Sequence, residues 1–173
     1  MKSILLISLL MLCGSVASGQ TCGNPAQSSL AELKLKELAS LPQGLSVVHN
    51  PSPVGARYAI PDQYQYKWFY GTSVSSSVGP VTIEEFGCFS KRGDLWLFAT
   101  LTGKPYTAQH FSEWYNCPDS ILKPGSKYTD ETNWSAANCL QGGASKWYYI
   151  GIDPEGNRFK GEAVVELLAE LAE

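Results

Sequence analysis

His110 and Glu113 stand three residues apart in a segment, from Thr107 to Tyr115, where Phe111, Trp114 and Tyr115 recur at helical spacing. One turn of helix brings the imidazole and the carboxylate together on the face away from those rings. That pairing is the minimum for general acid–base chemistry. A solvated helix face carries the same two residues, so both readings stand. The other histidine is His49, so a metal-free hydrolase or toxin of this sequence draws its base from these two positions.

Glu84 and Glu85 are neighbours in an apolar run, and neighbours on a strand point to opposite faces. One of them, Glu85 as the candidate, is then turned inward, where an ionised carboxylate is costly unless paired and marks a functional position. Set against this is an edge strand with both acids in water. The sequence has no nucleophile elbow and no phosphate-cradling glycine loop. It has no CxxC pair, and neither histidine lies at ligand spacing from a cysteine, so no metal and no cofactor is expected.

Aromatic residues supply a different chemistry. Tyr64, Tyr66, Trp68 and Tyr70 alternate along one face of a segment from Gln63 to Thr72, the period of a strand. Rings with a polar edge suit recognition of a glycan, a small apolar ligand or a partner protein. Most of the stripe, Trp68 included, is expected in the core. Tyr70, Trp114 and above all Trp134, which sits between the polar Asn133 and Ser135, are the binding candidates. Arg92-Gly93-Asp94 falls at a hairpin tip and is an adhesion candidate, although turn geometry alone explains the glycine. Asn133-Trp134-Ser135 is a glycosylation sequon.

Residues 1–19 read as a secretory leader: Lys2, an apolar run from Ile4 to Leu12, then small residues from Gly14 to Gly19. Residues 20–173 form one domain, and the chain is expected to be secreted, or periplasmic in a bacterium. Removing the leader takes away Lys2 and no acid, so the formal charge moves from −3 to −4, which disfavours nucleic acid and anionic membranes as partners. In an exported chain the four cysteines Cys22, Cys88, Cys117 and Cys139 read as two disulfides. Of three possible pairings, Cys117–Cys139 with Cys22–Cys88 is preferred, because the first closes a Pro-, Gly-, Asn- and Ser-rich segment.

The elements that must position these groups follow from period and punctuation. Ser29 and Glu32 fit a capping box, Leu30, Leu33, Leu38 and Leu41 recur at helical spacing, and Pro42 with Gly44 ends the helix. Strands are expected over 45–49, 63–72, 81–90, 94–101 and 146–152, with a return strand from Arg158 to about Val165. Residues 117–143 read as a long loop, and the terminal segment from Glu162 as strand giving way to helix. The sum is an α+β fold: an antiparallel sheet of hairpins, or a half-closed barrel, with an N-terminal helix, short flanking helices and disulfide staples. The favoured function is a secreted binding protein that uses aromatic surface. The alternatives are a small hydrolase or toxin, and a matrix or adhesive component.

Overall fold

The computed structural model describes residues 25–59 and 63–173; the leader and Cys22 lie outside them. In chain order the elements are α1 (Pro25–Ser40), β1 (Leu45–Asn50), β2 (Val54–Tyr58), β3 (Tyr66–Ser76), β4 (Val81–Arg92) and β5 (Leu95–Phe98). A short β6 (Tyr106–Thr107), α2 (Ala108–Trp114), a 3₁₀ turn (Pro118–Ser120) and β7 (Ile121–Leu122) follow. The long strands β8 (Lys127–Ala137), β9 (Gly143–Ile152) and β10 (Arg158–Leu171) complete the fold.

The strands form one sheet in the order β1-β3-β2-β10-β9-β4-β5, with β8 on the other edge of β3 and with β6 and β7 on β4. The sheet is mixed, not antiparallel as expected from the hairpins. Strand β10 runs parallel to β2, pairing Leu167 with Val54 and Leu171 with Ala56. That pairing exists because the terminal segment stays extended through Leu171 instead of becoming a helix. As a helix it would stack Glu162, Glu166 and Glu170 at repulsive i,i+4 spacing with no cation between them. As a strand it puts Glu162 beside Lys160, at 2.9 Å, and near Lys146 on β9, at 3.9 Å.

The expected long loop over 117–143 is also corrected. Residues Lys127–Ala137 pair with β3 along nearly its whole length, from Tyr66↔Ala137 to Ser75↔Lys127. One bulge, between Tyr70 and Thr72, breaks the register. The segment's polar composition hid it, since an edge strand buries few of its side chains.

Strands β9 and β4 lie inside the sheet between β10 and β5 and are covered on both faces, which explains their unbroken apolar runs Phe86–Phe89 and Trp147–Ile150. On one face Phe89, Tyr148 and Ile150 meet Ala31 and Leu38 of α1, with Phe98 of β5. The helix begins at Pro25, four residues before the capping box placed at Ser29, and Leu33 is 68% exposed, so its buried stripe is Ala31, Leu35 and Leu38. On the other face Phe86, Cys88, Trp147 and Tyr149 join Phe111 and Tyr115 from around α2. Gly161 allows β10 to lie against β1: a Cβ there would sit 2.8 Å from the Leu45 carbonyl oxygen.

No disulfide forms among the described residues. Cys88 and Cys117 are buried free thiols and Cys139 is an exposed one. The Cys88 thiol donates to the Ala99 carbonyl and the Cys117 thiol to the Ile121 carbonyl, each at 3.3 Å. The expected Cys117–Cys139 staple is therefore absent, and the fold is held by sheet pairing and aromatic packing. Its counterpart, Cys22–Cys88, has one end outside the described residues and the other a free thiol. No described helix is long and apolar enough to cross a membrane.

Candidate functional site

The sheet curves until β8 and β3 face β4 and β9. Across the gap Trp147 Nε1 donates to the Tyr70 hydroxyl at 2.8 Å. The Tyr70 oxygen lies 2.8 Å from Ser135 Oγ, and Ser135 Oγ lies 2.8 Å from Ser145 Oγ. Above this polar floor opens a cavity of about 530 Å³, walled by Trp68, Trp114, Trp134, Trp147 and Tyr106. Its size and its aromatic walls, interspersed with polar and charged side chains such as Ser135, Ser145 and Arg92, suit a small-molecule pocket.

Below the cavity the aromatic residues form a continuous buried cluster. Phe86 stacks on Tyr149 with ring centroids 5.5 Å apart, and Phe111 stacks on Tyr115 at 4.3 Å. The Tyr115 and Tyr149 hydroxyls share a short hydrogen bond. Burial pushes the Tyr70, Tyr115 and Tyr149 phenols well above their ordinary range, so all three stay protonated.

A second buried polar chain braces β1, β3 and β8. Asn133 Nδ2 donates to Thr72 Oγ1 at 2.8 Å, and Thr72 Oγ1 lies 3.0 Å from His49 Nδ1. His49 Nε2 faces the Ala163 carbonyl oxygen at 3.4 Å. A neutral His49 protonated on Nε2 satisfies every partner: Thr72 donates its hydroxyl proton to Nδ1 and the ring donates to Ala163. Burial depresses the His49 pKa from 6.5 to about 4, against the opposing hydrogen bond to Ala163.

The residues singled out in the sequence fall in several places. Trp134 and Trp114 both line the cavity. Trp134 belongs to β8, is half-buried and carries the Lys67 ammonium 4.5 Å from its ring centroid. Trp114 closes α2, is 38% exposed and packs edge-on against Tyr106 at 4.7 Å. Tyr70 is buried behind the lining and touches it through its bonds to Ser135 and Trp147. Trp68 is core, as its strand face predicts: it is 1% exposed and its Nε1 donates to the Leu168 carbonyl at 2.9 Å.

His110 and Glu113 do not act on one another. His110 Nδ1 accepts the Thr107 backbone N–H at 3.1 Å and caps α2, while Glu113 accepts from Gln109 at 2.9 Å. Glu85 points away from the cavity toward α1, where Lys34 Nζ meets it at 2.7 Å, and Glu84 pairs with Arg158 at 2.8 Å on the surface. Arg92, Gly93 and Asp94 are exposed at the β4–β5 turn, where Gly93 adopts φ 58°, and Arg92 reaches the cavity wall. Asn133 is buried, and the Nδ2 on which a glycan would be built is held in the bond to Thr72. No cluster of three or more His, Cys, Asp or Glu that would hold a metal ion occurs among the described residues.

The serines were not legible in advance. Ser135 reads as part of a loop, and Ser145 precedes the expected strand. Only the β3–β8 register shows that Ser135 stands opposite Trp68, two register pairs from Tyr70.

No family model matches the chain, and no curated protein matches it. Among solved structures, a crystal structure described as that of a putative ApaA protein from Bordetella pertussis is similar over 73% of this chain and 96% of that one, with 15% sequence identity and a TM-score of 0.41.

Proposed function

We propose that the protein is a binding protein for a small, largely apolar molecule, held in the aromatic cavity between β8 and the β4–β9 pair. The observation that carries this reading is the cavity of about 530 Å³ walled by four of the five tryptophans in the chain. Burying a ring system among Trp68, Trp114, Trp134 and Trp147 removes apolar area from water on both partners, at about 25 cal/mol per Å² before the costs of association. Ser135 and Ser145, fixed by Tyr70, are among the polar groups that would orient such a ligand. The leader-like sequence of residues 1–19 supports an exported protein, so the ligand is met outside the cytoplasm.

The hydrolase reading has less support, because His110 is committed to capping α2 and Glu85 to Lys34. The adhesive reading rests on the exposed turn at Arg92-Gly93-Asp94 and needs no cavity.

The neutral fluorophore N-phenyl-1-naphthylamine tests the proposal. It brightens in an apolar pocket, and saturable one-to-one binding to the folded protein is the expected result. Emission that rises without saturation, or only when the protein is partly unfolded, contradicts it.

A further inference from the structure

The cavity wall carries a count of hydroxyl protons that does not close. Trp147 Nε1 is a donor only, so its bond uses the Tyr70 oxygen as acceptor. Tyr70 is buried and its remaining polar neighbour is Ser135, so the phenol proton goes to Ser135 Oγ. Ser135 and Ser145 bring two hydroxyl protons between them, and their mutual bond uses one. The other has no acceptor among the described residues, and both serines line the cavity.

Two more donors stand on the same wall. Ser90 is paired with Ser145 across β4 and β9 and lines the cavity, with no hydrogen-bond partner among the described residues. Arg92 lies two residues further along β4, on the same face as Ser90, and has no ion-pair partner among them. The two carboxylates lining the cavity each accept hydrogen bonds from uncharged neighbours. Asp130 Oδ1 accepts from the backbone N–H and the hydroxyl of Thr132, and Glu113 accepts from Gln109. Asp130 is level with Thr72 and Ser135 with Trp68, so the acid stands several residues along β8 from the serine, although its charge still reaches Tyr70.

From this arrangement we infer that the ligand is an anionic amphiphile, its apolar body among the tryptophans and its carboxylate or sulfonate oxygens on the hydroxyls of Ser90 and of the Ser135–Ser145 pair and on the Arg92 guanidinium. The inference rests on the binding reading above and adds the ligand's charge and orientation. A guanidinium only donates, and each of these serine hydroxyls can turn a proton toward the cavity, so together they suit an oxyanion, which only accepts.

The test uses two probes with one apolar body, 1-anilinonaphthalene-8-sulfonate and N-phenyl-1-naphthylamine, which differ by the sulfonate. Each is titrated into the intact protein, with near-UV circular dichroism confirming native packing. The sulfonate probe is expected to bind about tenfold more tightly, as one charge-assisted hydrogen bond provides. Arg92→Gln and Ser145→Ala are each expected to shrink that preference at least threefold. If the neutral probe binds as tightly as the sulfonate, the anion inference falls while the binding reading stands. If neither probe binds, both fall. If the preference survives both substitutions, the oxyanion is not held at this wall.

Discussion

Trp147 and Tyr70, 77 residues apart in the chain, are joined by an indole N–H to phenol bond of 2.8 Å that ties β9 to β3 across the interior. Tyr70→Phe keeps the ring and removes the acceptor, leaving a buried indole N–H unpaired and Ser135 without its donor. The expected cost is about 1–3 kcal/mol in urea unfolding with an unchanged m-value. A loss below the measurement error would mean that the bond does not brace the two strands.

Trp68 and Trp134 both line the cavity but differ in burial. Trp68→Ala removes a fully buried ring together with the bond to Leu168 and is expected to cost about 3–5 kcal/mol. Trp134 is half-buried on an edge strand, so Trp134→Ala is expected to cost under about 2 kcal/mol and to weaken probe binding markedly. The reverse order of stabilities would place Trp134 in the core.

His49 makes stability depend on pH on the acid side. Its folded pKa, about 4, lies below the ordinary 6.5, so the unfolded chain binds the extra proton first. Its contribution is complete above about pH 6.5 and is lost progressively as pH falls toward 4, by about 3 kcal/mol at most. His49→Gln is expected to be less stable at pH 7.5 but flatter between pH 6.5 and 4. Equal slopes in the two proteins would show that the imidazole titrates normally in the fold.

The three described cysteines differ in reach. Burial lifts the Cys88 thiol, at the cavity wall, to about 12 and the Cys117 thiol to about 11, so both stay protonated and poorly nucleophilic, whereas Cys139 is exposed. Iodoacetamide labelling of the native protein, mapped by peptide mass, is expected to modify Cys139 and to spare Cys88 and Cys117 until denaturant is added. A disulfide-linked peptide joining Cys117 to Cys139 in unreduced protein would contradict the fold's free thiols.

Sequence patterning located the N-terminal helix, the strand carrying Trp68 and Tyr70, the β4–β5 hairpin and the short helix α2, because each has its own period and its own stop signals. It missed β8 because that strand's identity lies in its partner: Asn133 and Ser135 become inward residues only when set against Tyr70 and Trp68. It misjudged the terminal strand because Val164, Leu167, Leu168 and Leu171 satisfy a helical period, while the β9 and β2 ladders that hold them extended are not local. It inferred disulfides from the even cysteine count and the leader, a rule about compartment that does not register where Cys117 and Cys139 come to lie. Trp114 and Trp134 were singled out from chemistry alone, and both line the cavity. The serine pair beneath them was not, since two hydroxyls ten residues apart carry no signal until the sheet curves.

The central claim is that small ligands enter the cavity between β8 and the β4–β9 pair, and the five tryptophan indoles report on it directly. Trp68, Trp114, Trp134 and Trp147 line the cavity, while Trp96 packs on the opposite side of the sheet with the α1 cluster. In a 1H–15N spectrum of the folded protein titrated with 1-anilinonaphthalene-8-sulfonate, the four cavity indole resonances are predicted to shift with a single saturation curve while that of Trp96 stays fixed. Stationary cavity indoles, or a Trp96 resonance that moves as far as theirs, would contradict the account.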